Sequence, residues 1–165
     1  MAPTRSLATG AGTVLLVGIL LPAGPAAAAP AVVKHRHLEV TEVQTQHAEH
    51  SVSPSGPSVG DDFIFSADLT RHGKKVGTDS VQCTTTHVYG GATPNAIDVQ
   101  CVAGFILKKG TLAAAGPVHF SFSKQKAFKI AIVGGTGDYK HASGTLRVDP
   151  VSGTKSKLKL DFRTG

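Results

Sequence analysis

The sequence predicts an all-β domain of about eight antiparallel strands from two observations. Apolar side chains recur at every second residue through most of the chain, which is the spacing of a strand with one buried face. Short connectors rich in Gly, Pro, Asn and Ser separate these runs, and no segment has apolar residues at helical spacing. About eight antiparallel strands can close into a barrel or pack as a two-sheet sandwich, and the alternation alone does not distinguish the two.

The first 28 residues predict a secretory signal peptide. Arg5 precedes an apolar run over residues 14–21, and a stretch rich in Pro and Ala follows it up to Ala28. The run is too short to cross a bilayer as a helix, which takes about 20 residues. Removal of this segment leaves 137 residues with a net charge of +5, enough for one domain with its own core. We therefore expect a secreted protein that does not contact a membrane after cleavage.

The predicted elements of the mature chain follow in order. Residues 29–60 comprise a loose leader to about residue 36, a first strand over 38–45, and a connector over 51–60 that is rich in Ser, Pro and Gly. Residues 61–165 hold the rest of the single barrel domain. Its predicted strands cover residues 62–71, 76–89, 96–107, 111–115, 118–123, 127–133, 144–148 and 155–162.

The second predicted strand raises the main question about function. Phe63, Phe65 and Leu69 share one of its faces, and Asp68 lies on the other face. A carboxyl group that enters a barrel interior is costly to bury, has a raised pKa, and is a candidate for acid or base chemistry. Glu39 has a similar position in the first strand. If the apolar face fills the interior instead, Asp68 points to solvent, and the sequence leaves both orientations open.

The two cysteines predict a structural disulfide. Cys83 and Cys101 lie on consecutive predicted strands, equally far from the centre of their connecting loop near Ala92. This spacing places them opposite each other in an antiparallel pair, with Cβ atoms about 4.5–5.5 Å apart, which suits a disulfide after a small adjustment. The oxidising compartment implied by secretion favours the bridge. A free nucleophilic or metal-binding thiol is the alternative.

The histidines raise a metal-site hypothesis that the sequence does not support. Four of them fall close together, in or beside the predicted leader, without convincing carboxylate or thiolate partners. Three others are isolated in sequence and are expected to cover strand ends. No metal site is predicted; the first set is His35, His37, His47 and His50, and the second is His87, His119 and His141.

Three other patterns argue against common functions. In the glycine-rich segment 133–140, Lys140 stands where a dinucleotide-binding fingerprint requires its third Gly, and no helix-forming run follows. The chain has no G-x-S-x-G motif for a nucleophilic serine. Lysines of the last strand and of residues 124–129 could attract nucleic acid, but the chain has only two Tyr and no Trp to stack bases. We expect no nucleic-acid partner, because secretion also removes the usual one.

Several segments together resemble the allene oxide cyclase-like and dirigent-like barrel proteins and their small secreted bacterial relatives. The most specific is GGTGDYKHASG, residues 134–144. It is preceded, in the family's order, by GDDFIFSADLT at 60–70, KVG at 75–77 and a Cys on the next strand. The resemblance covers about residues 38–162. It implies an eight-stranded antiparallel barrel with a ligand-sized interior, often a homotrimer. Plant members direct the cyclisation of a fatty-acid epoxide or the coupling of phenoxy radicals without a metal or organic cofactor, so no cofactor is expected.

The resemblance also implies site residues by position. Asp68 matches an acidic residue of the dirigent pocket, Glu39 lies near the acidic position of the first strand, and Cys83 lies near a pocket cysteine of the cyclases. Tyr139 and Lys140 match the aromatic and basic residues of the glycine motif. The predicted catalytic residues are Asp68, Glu39 and Lys140, and the predicted ligand-binding residues are Tyr139, Ser66 and Thr41.

The chain departs from the family pattern at three positions. Thr41 stands where the cyclases have an Asn, and Lys140 and Ser143 replace two dirigent arginines. Lysine lacks the planar fork of arginine, so a bidentate contact is lost at that position. A disulfide at Cys83 would also remove any catalytic thiol.

Two functions follow from these observations. The first is a secreted barrel that binds a small hydrophobic metabolite in its interior and directs its cyclisation or isomerisation through shape and a few polar groups. The alternative is a non-catalytic secreted barrel with a filled interior that acts through its surface. An open interior favours the first function and a filled interior the second.

Overall fold

The computed structural model describes residues 32–165, which form a closed barrel of eight antiparallel strands in sequential order. The predicted barrel is confirmed, whereas the predicted signal peptide lies outside the described residues. A single 3₁₀ turn, Gly137–Tyr139, connects β6 to β7. No helix in this part of the chain is long and apolar enough to cross a membrane. The strands are β1 (Lys34–His50), β2 (Asp62–Arg71), β3 (Lys74–Tyr89), β4 (Ala96–Leu107), β5 (Gly110–Ser121), β6 (Phe128–Gly135), β7 (Ser143–Ser152) and β8 (Lys155–Thr164).

The first strand is longer than predicted and closes the barrel. β1 pairs with β8 from Lys34 opposite Thr164 to Val43 opposite Lys155, and with β2 as far as His50 opposite Asp62. The prediction that residues up to about 36 form a loose leader is therefore wrong from Lys34 onward. The hydrogen-bonding partners of these residues come from the far end of the chain, so local alternation does not reveal them. Closure also leaves no free sheet edge among the described strands.

Two predicted strands merge into one. Residues 111–115 and 118–123 were separated in the prediction by Gly116 and Pro117, but β5 continues through both. β6 pairs with β5 only as far as Ala115, so Pro117 interrupts no pairing with that neighbour. A Cβ at Gly116 would lie 3.3 Å from the side chain of Ile130 on β6, so this position gives the two strands their close approach.

The closed barrel settles which face of β2 points inward. Ala67 and Leu69 are each 1% exposed and lie inside with Phe63 and Phe65, whereas Asp68 lies outside. The buried core continues around the barrel through the same inward positions of the other strands. Its largest fully buried side chains are Phe105, Leu69, Leu112, Leu146, Leu158 and Leu160.

The predicted disulfide is confirmed. Cys83 and Cys101 lie directly opposite each other on β3 and β4, with Cα atoms 4.1 Å apart. Both residues point inward and are buried. The bridge therefore joins two neighbouring strands from the inside of the barrel wall.

Candidate ligand-binding site in the barrel

One half of the barrel interior is open. A cavity of about 620 Å³ extends inward from the end at which β1 ends and β2 begins, a volume typical of small-molecule sites. Its walls are mostly apolar and include the Cys83–Cys101 disulfide. Phe120 packs edge-to-face against Phe63 and Phe128, with ring centroids 6.2 and 5.5 Å apart. These contacts hold the aromatic rings in fixed positions at the mouth.

The other half of the interior is filled. Leu69, Leu112 and Leu160 are almost fully buried there and do not line the cavity. At the far end the ring of Tyr139 packs against Phe162 with centroids 5.9 Å apart, and the Arg36 guanidinium lies 5.8 Å from the centre of the Tyr139 ring. The cavity therefore has a packed floor. Tyr139, a predicted ligand contact, belongs to the closed end and does not line the cavity.

The predicted catalytic residues lie outside the cavity. Asp68 is on the outer face of β2, where its Oδ1 is 2.5 Å from Nζ of Lys75. Glu39 is exposed on the outer face of β1 opposite Lys159, and Lys140 is exposed just after the 3₁₀ turn. The structure does not bring these three residues together, and the inward orientation considered for Asp68 and Glu39 is wrong. Their catalytic roles stay predictions that rest on the resemblance alone.

The predicted ligand contacts Ser66 and Thr41 are also on the outer face. The Thr45 hydroxyl donates a hydrogen bond of 3.0 Å to the backbone carbonyl of Ser66, and the Thr70 hydroxyl donates one of 3.2 Å to that of Thr41. Alternation identifies the residues that share a face of a strand. It does not say which face points inward until the barrel closes.

Two carboxyl groups that the prediction missed lie inside the barrel. Glu42 on β1 is 8% exposed and lines the cavity, and Asp79 on β3 is 3% exposed. Ala67 lies opposite Asp79 on the strand between them, so a short side chain leaves room above β2 for the two carboxyls to meet. Each acid is in phase with buried neighbours, Glu42 with Val40 and Asp79 with Cys83. A charged residue at an apolar position of the alternation was the signal that could have identified them.

The environment of the pair favours a shared proton. Burial, followed by the hydrogen bond and the charge of Glu42, raises the pKa of Asp79 from 3.8 to about 8. The backbone amides of Ala67 and of Asp79 itself oppose this rise in pKa only in part, because neither amide completes a hydrogen bond to the Asp79 carboxyl. At neutral pH Asp79 therefore keeps its proton.

Both oxygens of Asp79 lack a hydrogen-bond donor among the described residues. Buried polar atoms without a partner are rare in folded proteins and cost free energy. When Asp79 is protonated, its hydroxyl can donate to the Glu42 carboxylate, which explains how the pair is tolerated. Of the two acids, Glu42 is the one that lines the cavity.

A bulge in β1 turns further polar groups toward the mouth. Gln44 lies opposite Ala67 and Gln46 opposite Ser66, so Thr45 is the extra residue and the alternation shifts by one. His47 and Glu49 line the cavity beyond the bulge. Bulges commonly redirect side chains in this way next to functional sites. His47, which was grouped with histidines in or beside a flexible leader, therefore lies on β1 at the mouth of the cavity.

A second polar cluster lies on the outer face and is separate from the cavity. Asp98 accepts a hydrogen bond of 2.6 Å from the Tyr89 hydroxyl and lies 2.7 Å from Nδ1 of His119, and His87 packs on the Tyr89 ring at 4.3 Å. The hydrogen bonds from Tyr89 and His119 lower the pKa of Asp98. His87 and His119, which are isolated in the sequence, therefore belong to one cluster in the structure. Within residues 32–165, no group of three or more His, Cys, Asp or Glu side chains is arranged to hold a metal ion.

Comparison with known families and proteins agrees with the fold. The family model described as allene oxide cyclase barrel like domain matches residues 41–161, which spans most of the barrel. A comparison with curated proteins finds no match.

Three solved structures illustrate the range of similar barrels. A pyocyanin demethylase is 30% identical, with a TM-score of 0.67, over 77% of this chain and 99% of that chain. A nonspecific heme-binding cyclase that catalyses a [4 + 2] cycloaddition in neoabyssomicin biosynthesis is 16% identical, with a TM-score of 0.66, over 80% of this chain and 65% of the cyclase. The pterocarpan synthase dirigent protein GePTS1 is 18% identical, with a TM-score of 0.55, over 79% and 89%. At these identities the last two show the shared fold alone.

Proposed function

Because the chain belongs to the allene oxide cyclase-like barrel family, we propose that it binds a small, largely apolar molecule inside the barrel and directs its cyclisation or isomerisation. The open half of the interior supports this function, since it combines about 620 Å³ of space with fixed aromatic walls and one buried carboxyl pair. A barrel with a filled interior that acts through its surface is not favoured by this cavity. The fold alone does not assign the chemistry, because one fold hosts many reactions.

The walls and the carboxyl pair have different roles in the proposed reaction. The apolar walls hold a flexible molecule in one folded conformer and exclude water, so its reacting atoms stay close together. The Glu42 carboxylate, which lines the cavity, accepts a proton from one atom of the substrate and returns it to another, while protonated Asp79 behind it donates a hydrogen bond to that carboxylate. Such a step moves a double bond or opens a ring with no net change in protons on the pair. A raised pKa is what allows a carboxyl to arrive protonated at neutral pH.

The similar structures support a small-molecule partner. One is named for an activity on pyocyanin and another for a cycloaddition, so barrels of this fold act on compact organic molecules by different chemistries. The pyocyanin demethylase has the higher identity of the two. A conjugated ring system is therefore a reasonable first class of test compounds for this barrel.

Capture of a ligand from the producing cell's metabolites tests the proposal. The purified mature protein is incubated with the extract, and retained compounds are identified by mass spectrometry and then offered to the protein as substrates. The Val81→Trp variant, which fills the cavity from β3, is expected to retain nothing. The Thr145→Trp variant, exposed on the outer face of β7, is expected to retain the same compound as the wild type. Equal retention by both variants, or no retention by the wild type, contradicts binding in the cavity.

Secretion is the proposed location. The sequence pattern of residues 1–28 and the disulfide between Cys83 and Cys101 both support it, because disulfides persist in oxidising compartments. Recovery of the protein from the culture medium, with an N-terminus near residue 29, is the expected result. A protein that stays inside the cell with residue 1 intact contradicts it.

The outer face of β4 and β5 supports the proposed homotrimer. Residues 100–106 and 111–117 contain no charged side chain, and Val102 and Ile106 are 57% and 64% exposed. Exposed apolar patches of this kind commonly mark contacts between subunits. Light scattering is expected to give three times the mass of one chain, and Val102→Lys combined with Ile106→Lys is expected to give monomers. A monomeric wild-type protein contradicts the assembly.

A further inference from the structure

We infer that the molecule bound in the barrel presents a cationic or hydrogen-bond-donating group to the deep end of the cavity, and that molecules carrying a carboxylate are excluded. This inference rests on the proposed function, because it names the charge class of the ligand for the same site. It concerns the contents of the cavity and not the reaction that follows.

Glu42 lines the deep end of the cavity, and Asp79 lies directly behind it. Asp79 is 97% buried and does not line the cavity, and neither of its oxygens receives a hydrogen bond from an N–H or O–H group of residues 32–165. A ligand with an N–H, O–H or cationic nitrogen at this point donates to Glu42. A ligand with a carboxylate adds a further acceptor and a like charge.

No positive charge inside the barrel offsets the pair. The side chains that face it from β2 and β4 are apolar, namely Ala67, Leu69 and Phe105. On β1, Arg36 points into the closed end, about 20 Å from Glu42 along the strand. On β8 the residue opposite Glu42 is Ser156, which lines the cavity and carries no charge, and the next inward residue is the apolar Leu158. The charge of the pair is therefore left for the ligand to balance.

The charged groups at the mouth lie in a different environment. His47, Glu49, Lys126 and Lys155 line the opening, and all four are exposed to solvent. Water and salt screen charges in such positions. They can attract or orient a molecule as it enters, but they do not neutralise the buried pair.

The size of the effect follows from Coulomb's law. A unit charge about 4 Å from the pair changes affinity about 5-fold with water-like screening and about 1,000-fold with the screening typical of protein sites. Because the cation is attracted and the anion repelled, we expect a cation to bind at least about 30-fold more tightly than an anion of the same shape. The preference should increase as the pH rises through about 8, since loss of the Asp79 proton adds a second negative charge.

Three tricyclic probes of nearly equal shape test this inference. They are 9-aminoacridine, acridine and acridine-9-carboxylate, which are cationic, neutral and anionic at pH 7. Dissociation constants are measured by fluorescence or calorimetry with the mature wild-type protein. The expected order of affinity is cation, neutral compound, anion. Loss of binding to the Val81→Trp variant is the check that all three probes bind in the cavity. This ranking needs no variant of the carboxyl pair.

Two neutralising variants connect the ranking to the pair. Glu42→Gln is expected to reduce the cation-to-anion ratio to within a few-fold, and Asp79→Asn to remove the change in affinity between pH 7 and pH 9. The matched control is Asp161→Asn, which neutralises an exposed carboxyl on the outer face of β8 that lies 2.5 Å from Nδ1 of His37. It is expected to keep the wild-type ranking. The pH series of Asp79→Asn also separates the effect of this residue from that of His47 and the other groups at the mouth.

The possible results separate this inference from the proposed function. If all three probes bind in the cavity with equal affinity, or if the anion binds most tightly, the inference is wrong and binding in the barrel stands. If Asp161→Asn changes the ranking as much as Glu42→Gln, the charge effect does not come from the pair and the inference is wrong. If none of the probes and no compound from the extract binds, both the inference and the proposed function are wrong.

Discussion

Replacing Asp79 by Asn is expected to stabilise the protein at alkaline pH. In the wild type, the pKa of Asp79 is about 8 in the folded state and near 3.8 in the unfolded chain. The fold therefore favours the protonated acid, and this contribution is complete below pH 3.8. It is lost progressively as the pH rises to about 8 and does not change further above that value. Asn has nearly the same shape, carries no charge, and can donate a hydrogen bond from its amide to the Glu42 carboxylate.

The magnitude follows from the difference between the two pKa values. About four pH units correspond to roughly 6 kcal/mol of unfolding free energy, with a slope of about 1.4 kcal/mol per pH unit between them. Because the Asn amide and the Asp carboxyl do not make identical contacts, we expect a net gain of about 2–5 kcal/mol for Asp79→Asn at pH 8.5. The gain should shrink to about 0.6 kcal/mol near pH 4, which lies just above the unfolded-state pKa of 3.8.

Urea unfolding at a series of pH values measures this effect. Far-ultraviolet circular dichroism is the suitable signal, because the chain has no Trp and only two Tyr. The control is Asp161→Asn, an exposed carboxyl whose removal should change stability by less than about 1 kcal/mol at any pH. If the difference between Asp79→Asn and the wild type does not grow from pH 4 to pH 8.5, the carboxyl is not held protonated by burial. A less stable variant at pH 8.5 contradicts the reasoning altogether.

Three further predictions concern the barrel wall. Reduction of the disulfide is expected to lower the unfolding free energy by about 2–4 kcal/mol in urea titrations with and without a phosphine reductant, and an unchanged midpoint would contradict a structural role. Gly144→Ala is expected to cost about 3 kcal/mol or more, because its Cβ would overlap the backbone carbonyl of Asp161, whereas Gly134→Ala, with open space at its Cβ, should melt near the wild type. Tyr89→Phe is expected to raise the pKa of Asp98 toward its ordinary value in carboxyl-carbon NMR titrations, because the Tyr89 hydrogen bond is the main cause of its lowered pKa; an unchanged titration would contradict that assignment.

Local signals were enough to predict the strands whose ends are set by turns. β2 and β4 begin and end at the predicted residues, because His72-Gly73 and Lys108-Lys109 turn the chain immediately after them. The disulfide could be predicted equally well, since symmetry about a hairpin loop depends only on sequence positions. β1 was not, because Lys34 and His50 are held by strands that are far away in the sequence.

The site was harder to predict than the fold for a physical reason. Period-two alternation is the same whichever face is buried, so Asp68 and Glu42 were equally consistent with an inward position until all strands were closed into one barrel. The decisive evidence was the phase of each acid relative to its apolar neighbours. Phe63, Phe65 and Leu69 exclude Asp68 from the interior, whereas the phase of Val40 places Glu42 inside.

The packed floor formed by Tyr139, Phe162 and the buried leucines has a kinetic consequence. If the proposed reaction takes place in this cavity, substrate and product must use the same opening. Product that stays in the barrel would then act as a competitive inhibitor of the next substrate. Turnover would depend on how quickly the product passes the rings of Phe63, Phe120 and Phe128 at the mouth.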